Sequence, residues 1–346
     1  MKIFINSFGC SSNKSDESAI KYILSKKYQF TEDYEKANII ILLTCYVKLT
    51  TQNRMINLIK KFSNKKLIVA GCMPEIDKER IKKINPKAIL LGPQFIDKIN
   101  IAIEKNKSFT GKRKLNKSKL KKFPGKAYKL KICEGCNNSC SYCAAKIARK
   151  NIQSYPIKDI IREINHKLIH LTAEDTACYG LDKHKKSQLP KLIREISKIK
   201  KDFKLRIGMM NPSNIIPVKK EFITELKNGI EKNKIIPFLH LPLQSGSNKI
   251  LKDMNRKYTV KQYQNLIKEI KKEIPEIKLT TDIIVCYPTE KKEDFQETIK
   301  IIKKLKPNKV NISRYSKRKG TKAEKLKQLP TEILKERSRK LTKITS

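Results

Sequence analysis

Apolar residues along this chain come in two rhythms. Through the first hundred residues, short unbroken apolar runs at 2–5, 39–43 and 67–70 alternate with stretches at 15–26, 50–62 and 77–84 of helical character. Unbroken runs of that length suit parallel strands buried on both faces, and an apolar position every three or four residues suits a helix with one face on a core. The pattern predicts a small α/β domain over residues 1–104, built on a parallel sheet. From residue 127 the alternation restarts, with strands predicted at 128–133, 168–172, 204–209, 236–241, 278–285 and 309–315 and helices at 157–166, 190–200, 219–227, 260–273 and 293–305. Six such repeats in about 190 residues are too few to close an eight-fold barrel, so a partial (β/α)6 barrel is expected over 127–330, followed by a helical tail over 331–346.

Residues 105–126 follow neither rhythm. Ten of these 22 residues are basic, and Gly111, Pro124 and Gly125 interrupt any pattern. A linker or electropositive arm, rather than a packed element, is the expectation.

Charge widens the picture. The chain carries 79 Lys plus Arg against 33 Asp plus Glu, a net +46. A surplus that large repels itself and calls for a polyanionic partner, most simply nucleic acid. Compositional bias accounts for the preference of Lys over Arg better than for the shortage of acids. No long uncharged apolar stretch, strongly basic amphipathic helix or lipidation signal stands out, so no membrane role and a cytoplasmic location with reduced thiols are expected.

Reduced thiols matter because six of the nine cysteines sort into two sets of three. Cys136, Cys140 and Cys143 form a compact C-x3-C-x2-C run just after the first barrel strand; Cys10, Cys45 and Cys72 each follow one of the early apolar runs. Chain reversal after parallel strands would gather these last three on one sheet edge. Three thiolates can hold a [4Fe–4S] cube and leave one iron open to a non-protein ligand. Zinc is the alternative, and would recruit Cys133 to complete C-x2-C-x3-C-x2-C. Cys178 and Cys286 read as small buried hydrophobes. Polar groups at 172–176, Asn211 and 240–247 also fall at predicted strand ends, where barrel active sites lie.

C-x3-C-x2-C after the first strand of a partial βα barrel resembles the radical S-adenosylmethionine (SAM) enzymes. Phe8-Gly9-Cys10-Ser11-Ser12-Asn13, Thr44-Cys45-Tyr46-Val47-Lys48, Val69-Ala70-Gly71-Cys72-Met73-Pro74 and Ser316-Lys317-Arg318-Lys319-Gly320-Thr321 narrow the resemblance to the methylthiotransferases. Ala148-Arg149, Ser154-Tyr155-Pro156 and the stretch from Arg206 to Pro212 are most similar to the archaeal and eukaryotic branch acting on N6-threonylcarbamoyladenosine next to the tRNA anticodon. The resemblance implies an α/β fold, with the small parallel-sheet domain holding an auxiliary iron–sulfur cluster, followed by a radical SAM partial barrel. It also implies two [4Fe–4S] clusters: one on Cys136, Cys140 and Cys143, where SAM is cleaved to a radical that takes hydrogen from adenine C2, and one on Cys10, Cys45 and Cys72, which carries the sulfur. Tyr142, Asp175 and Gln244 are the implied SAM contacts, with helix capping the alternative for Asp175 and a core role for Tyr142. No catalytic side chain is implied beyond the cluster ligands, and His240 reads equally as a structural histidine. Implied partners are tRNA and an electron donor such as ferredoxin or flavodoxin.

Three departures stand out. Cys286-Tyr287-Pro288-Thr289-Glu290 replaces the family's G-F-P-G-E, Leu43 stands where relatives have Asn, and the sequence ends where relatives enter an RNA-binding TRAM barrel. The TRAM domain is therefore expected to be absent, with a separately encoded TRAM-like protein as a further possible partner. Competing readings are action on isopentenyladenosine in tRNA, action on a ribosomal-protein aspartate, and an iron–sulfur RNA-binding protein without catalysis.

Overall fold

A computed structural model describes residues 1–345. Strands β1 (Lys2–Ser7), β2 (Gln29–Phe30), β3 (Ile39–Thr44), β4 (Lys66–Gly71) and β5 (Ile89–Leu91) form one parallel sheet in the order β2-β1-β3-β4-β5. Burial on both faces explains the unbroken apolar runs: Ile40 and Leu42 pack with Met55 and Ile59 on one side, Ile39, Ile41 and Leu43 with Ile20 and Leu24 on the other. The first helix begins at Ser11, four residues before its predicted start. Its first turns bury Ser12, Asn13, Ser15 and Asp16, polar residues that an apolar period cannot reveal.

A second set of strands follows: β6 (Tyr128–Lys131), β7 (Cys133–Glu134), β8 (Gln153–Ser154), β9 (Leu168–Thr172), β10 (Lys204–Arg206), β11 (Phe238–His240), β12 (Lys278–Val285) and β13 (Lys309–Arg314). β10-β9-β6 and β11-β12-β13 are parallel sheets, and a parallel bridge from Leu205 to Ile235 joins them, so six strands run in chain order as a partial barrel. β7 and β8 stand apart as a short antiparallel pair, which shortens the predicted first strand. Leu130, Ile169, Leu205, Leu239 and Leu279 join the core beneath the helices. The alternating positions Lys129, His170, Arg206, His240, Asp282 and Asn311 make up the polar concave wall. There Lys129 Nζ lies 2.6 Å from His170 Nδ1, and Asp282 Oδ1 meets His240 Nε2 and Asn311 Nδ2 at 2.8 Å each. The helix Thr331–Thr345 packs back on the barrel, with Leu334 and Leu341 in its core.

The expectation of an unpacked basic arm at 105–126 needs correction. Lys117 and Lys122 are buried, and Arg113 makes a two-pronged contact with Asp97 at 2.6 and 2.8 Å. Acids elsewhere in the chain draw in Lys117 and Arg113, and Lys122 lies 5.5 Å from the ring centre of Tyr128, whereas Lys112, Lys114, Lys119 and Lys121 remain exposed.

Candidate iron–sulfur and SAM site

The strand order places the dispersed cysteines. β1, β3 and β4 are neighbours, with Ser7 opposite Leu43 and Thr44 opposite Gly71, and Cys10, Cys45 and Cys72 follow their C-terminal ends. Gly71 has φ +90°, and a Cβ there would meet the Thr44 carbonyl oxygen at 2.7 Å, so only glycine allows β3 and β4 to end so close together. Asn13 donates to the Thr44 carbonyl at 2.9 Å, and Cys72 N–H donates to the same oxygen at 3.1 Å. The thiols feel one another: burial pushes Cys72 up to about 12, with Cys45 and Cys10 adding to the rise and Arg149 opposing it. Burial, then Cys10, likewise raises Cys45.

The compact triad sits on a loop leaving β7. Gly135, at φ +78°, opens it; a side chain there would strike the Asn151 carbonyl oxygen at 2.3 Å. Asn138 donates to Cys136 Sγ at 3.2 Å from its side chain and 3.4 Å from its backbone. The Cys178 thiol, 3.6 Å from Cys136 Sγ, pulls Cys136 down despite its burial. Burial, then Cys140, pushes Cys143 up to about 11. The sequence reads Cys178 as a simple core residue, but the short turn Thr176–Cys178 carries its sulfur to the loop that bears Cys136. Cys286 does sit in the apolar core, at φ +61°, the left-handed conformation glycine usually supplies.

Neither cysteine triad has the spacing of a single zinc ion. A tetrahedral zinc would draw its sulfurs to about 3.8 Å from one another. Among the described residues, the metal-competent group with ligand atoms all within 4.8 Å is Cys136, Asp175 and Cys178; neither cysteine triad closes to that spacing. Cys133, the fourth ligand zinc would need, faces the barrel core and directs its thiol at the Asp175 carbonyl, 3.9 Å away.

The implied SAM contacts differ in character. Gln244, at φ +72°, bridges to Ile283 four residues beyond β11 and has a buried amide oxygen with no hydrogen-bond partner, an acceptor set for a bound donor. Asp175 is instead saturated: it caps the turn through Ala177 N–H at 3.0 Å and accepts from Asn211 N–H, Asn138 and Asn214 at 2.9, 3.0 and 2.8 Å. Burial raises its pKa against these bonds. Tyr142 packs with Ile250, Met254, Tyr287 and Tyr315, beside the triad's own thiols.

A buried ionic network joins the two triads. Arg149 donates to Asn13 at 2.6 Å and Asp16 at 2.9 Å, behind Cys10, and to Glu134 at 2.5 Å, just before Gly135. Its Nε lies 3.3 Å from Glu174, which accepts from Gly135 N–H at 2.8 Å. Lys117 and Lys131 complete the group. The sequence marks Arg149 only through resemblance and does not single out Asn138, Asn214 or Arg256; the last places Nη1 3.6 Å from Cys140 Sγ. Single asparagines and arginines carry no periodic signal, so only their positions in the fold reveal them.

The family description "Uncharacterized protein family UPF0004" matches residues 2–92, and "Radical SAM superfamily" matches residues 130–302. A protein of Pyrococcus horikoshii named probable threonylcarbamoyladenosine tRNA methylthiotransferase is 39% identical, aligned over 99% of this chain and 84% of its own length. The like-named protein of Methanothermobacter thermautotrophicus is 36% identical over the same shares, and the human threonylcarbamoyladenosine tRNA methylthiotransferase is 32% identical over 99% of this chain and 62% of its own. In fold, the chain is similar to the cobalamin-dependent SAM radical enzyme OxsB, with a TM-score of 0.62 at 12% identity, covering 99% of this chain and 55% of that one. From the cysteine-bearing sheet edge, the partial barrel and these near full-length relatives together, the chain belongs to the threonylcarbamoyladenosine tRNA methylthiotransferase family of radical SAM enzymes.

Proposed function

We propose that this protein converts N6-threonylcarbamoyladenosine in tRNA to its 2-methylthio derivative, using SAM and two [4Fe–4S] clusters. The observation that carries the reading is the joining of both cysteine triads through one buried side chain, Arg149, which bonds to residues behind each. Cys136, Cys140 and Cys143 would hold the first cluster and Cys10, Cys45 and Cys72 the second. When bound, these groups and SAM supply a carbon radical able to take hydrogen from adenine C2, together with the sulfur and methyl group that replace it.

The chain's own residues position that chemistry. Asn138, itself braced by Asp175, aims two donors at Cys136 Sγ and fixes the loop. Gln244 offers its unpaired amide oxygen at the barrel's C-terminal rim, the end where such barrels bind their ligands. Adenine C2–H is neither acidic nor electrophilic, so no side-chain base is required, and His240 is held by Asp282 as part of the wall. Exposed lysines such as Lys112, Lys114, Lys119 and Lys121 are suited to the tRNA backbone. An electron donor of the ferredoxin or flavodoxin type completes the requirements.

Mass spectrometry of tRNA nucleosides from cells with and without this gene tests the reading. Loss of 2-methylthio-N6-threonylcarbamoyladenosine, with accumulation of its unthiolated precursor, is expected. Loss of a methylthiolated isopentenyladenosine instead, or an unchanged nucleoside profile, would overturn it.

A further inference from the structure

Four arginines are buried among the described residues: Arg149, Arg256, Arg318 and Arg337. A buried guanidinium is tolerable when an anion compensates for its lost hydration. Arg149 has Asp16, Glu134 and Glu174, and Arg337 has Glu290 at 2.5 Å. Arg256 and Arg318 have no carboxylate within ion-pair distance among the described residues. Each of these two also stands beside a cysteine triad.

Arg256 follows the helix Asn248–Asp253. Its Nε meets the Tyr258 hydroxyl at 3.1 Å and its Nη2 donates to the Pro242 carbonyl at 3.2 Å, while Nη1 points at Cys140 Sγ from 3.6 Å. Arg318 reaches from the loop after β13 to the helix Leu49–Lys61 of the first domain. It donates to Gln52 and Ser316 at 2.6 Å each and lies 5.9 Å from the ring centre of Tyr46, the residue after Cys45. Neutral oxygens hold both guanidinium groups in place, but neither is charge-compensated by protein. A cube on three thiolates is an anion, and it becomes more negative when it accepts an electron.

We propose that Arg256 and Arg318 are positioning residues that act as the dedicated counter-ions of the two clusters, each raising the reduction potential of the cluster on its own triad. The inference rests on the cluster assignment above. A fixed positive charge in a poorly solvated site stabilises the reduced cluster more than the oxidised one. Arg149 also acts on Cys72, but its charge is already balanced by three acids.

The test is a redox titration followed by electron paramagnetic resonance on anaerobically reconstituted protein without SAM. Arg256→Gln and Arg256→Lys are compared in a background with Cys10, Cys45 and Cys72 changed to Ala; Arg318→Gln and Arg318→Lys are compared with Cys136, Cys140 and Cys143 changed to Ala. At the parent's midpoint, each Gln variant should show at least a tenfold lower ratio of reduced to oxidised cluster, equivalent to about 59 mV for one electron. Each Lys variant should stay within threefold of the parent. A Gln variant that fails to retain iron where its Lys counterpart does supports the same role for the charge. Equal behaviour of Lys and Gln, including loss of iron from both, would overturn the inference. So would an unchanged midpoint accompanied by weaker SAM binding, which would make Arg256 a SAM contact only. A parent background with no cluster signal would instead refute the cluster assignment, and this inference with it.

Discussion

Replacing Arg149 by Met should destabilise the protein by about 3–5 kcal/mol, the range found when one partner of a buried ion pair is removed. The structure sets the size of the effect. Arg149, Lys117 and Lys131 face Asp16, Glu134 and Glu174, and each of the six side chains is at most 8% exposed. Three charges of each sign become two against three in the variant, leaving one buried carboxylate uncompensated. At about 2.1 cal/mol/K per residue, the unfolding entropy of 346 residues is about 0.7 kcal/mol/K, so the melting temperature should fall by about 4–7 °C. Burial pushes Glu134 upward, but Arg149, Lys117 and Lys131 together hold its carboxyl below the usual carboxylate range, and Asp16 is likewise held down. A depressed carboxylate contributes stability that is present above its unfolded pKa near 4 and lost as the pH falls through its folded value. Without Arg149 the orphaned acid takes up its proton at higher pH, so the variant's deficit should be largest at pH 7–8 and shrink toward pH 5. Arg149→Met combined with Glu134→Gln restores two charges against two and should recover at least half of the loss. Thermal and urea unfolding of parent, single and double variants at both pH values measure this. A single-variant loss below about 1 kcal/mol, or a double variant no more stable than the single, would refute the account of the network.

Three other outcomes follow from the same structure. Changing exposed Lys112, Lys114, Lys119 and Lys121 to Ser should weaken tRNA binding and flatten its salt dependence by nearly one unit of slope per lost phosphate contact; identical slopes in a salt series would remove these residues from the interface. Burial, then Lys129 and Arg206, pushes His170 down to about 4, below the ordinary histidine value near 6.5. The unfolded chain therefore binds a proton between those pH values that the folded chain refuses, and stability should decline as pH drops from about 6.5 to 4; His170→Asn should remove that part of the slope in unfolding curves. Cys133→Ala should leave SAM cleavage within tenfold of the parent, about 1.4 kcal/mol in barrier terms, because the thiol faces the core, and a greater loss would return Cys133 to the ligand set.

Sequence periodicity reveals what is local and repeated. β9 and β12 have their predicted bounds because their apolar positions alternate cleanly into the core, and the cysteine spacing separates the two triads before any contact is known. Contacts between distant segments stay hidden. Lys117 reads as one more lysine in a basic stretch, yet it pairs with Asp16 across 101 positions at 2.9 Å. Cys178 reads as a hydrophobe because nothing in its neighbourhood shows that a turn will bring it to Cys136, and Arg318 reaches Gln52 across 266 positions. Gln244 has an unremarkable sequence context, and its orphaned oxygen belongs to a left-handed position in the loop beyond β11.

Reconstitution of two triple variants with a tRNA bearing N6-threonylcarbamoyladenosine tests the central claim most directly, with iron, SAM cleavage and methylthiolation measured together. The parent should hold about eight irons, since each cube contributes four. Changing Cys136, Cys140 and Cys143 to Ala should remove about half of the iron and abolish both activities. Changing Cys10, Cys45 and Cys72 to Ala should remove the other half and stop methylthiolation while SAM cleavage continues. Full iron in either variant, or stoichiometric zinc in the parent, would contradict the account.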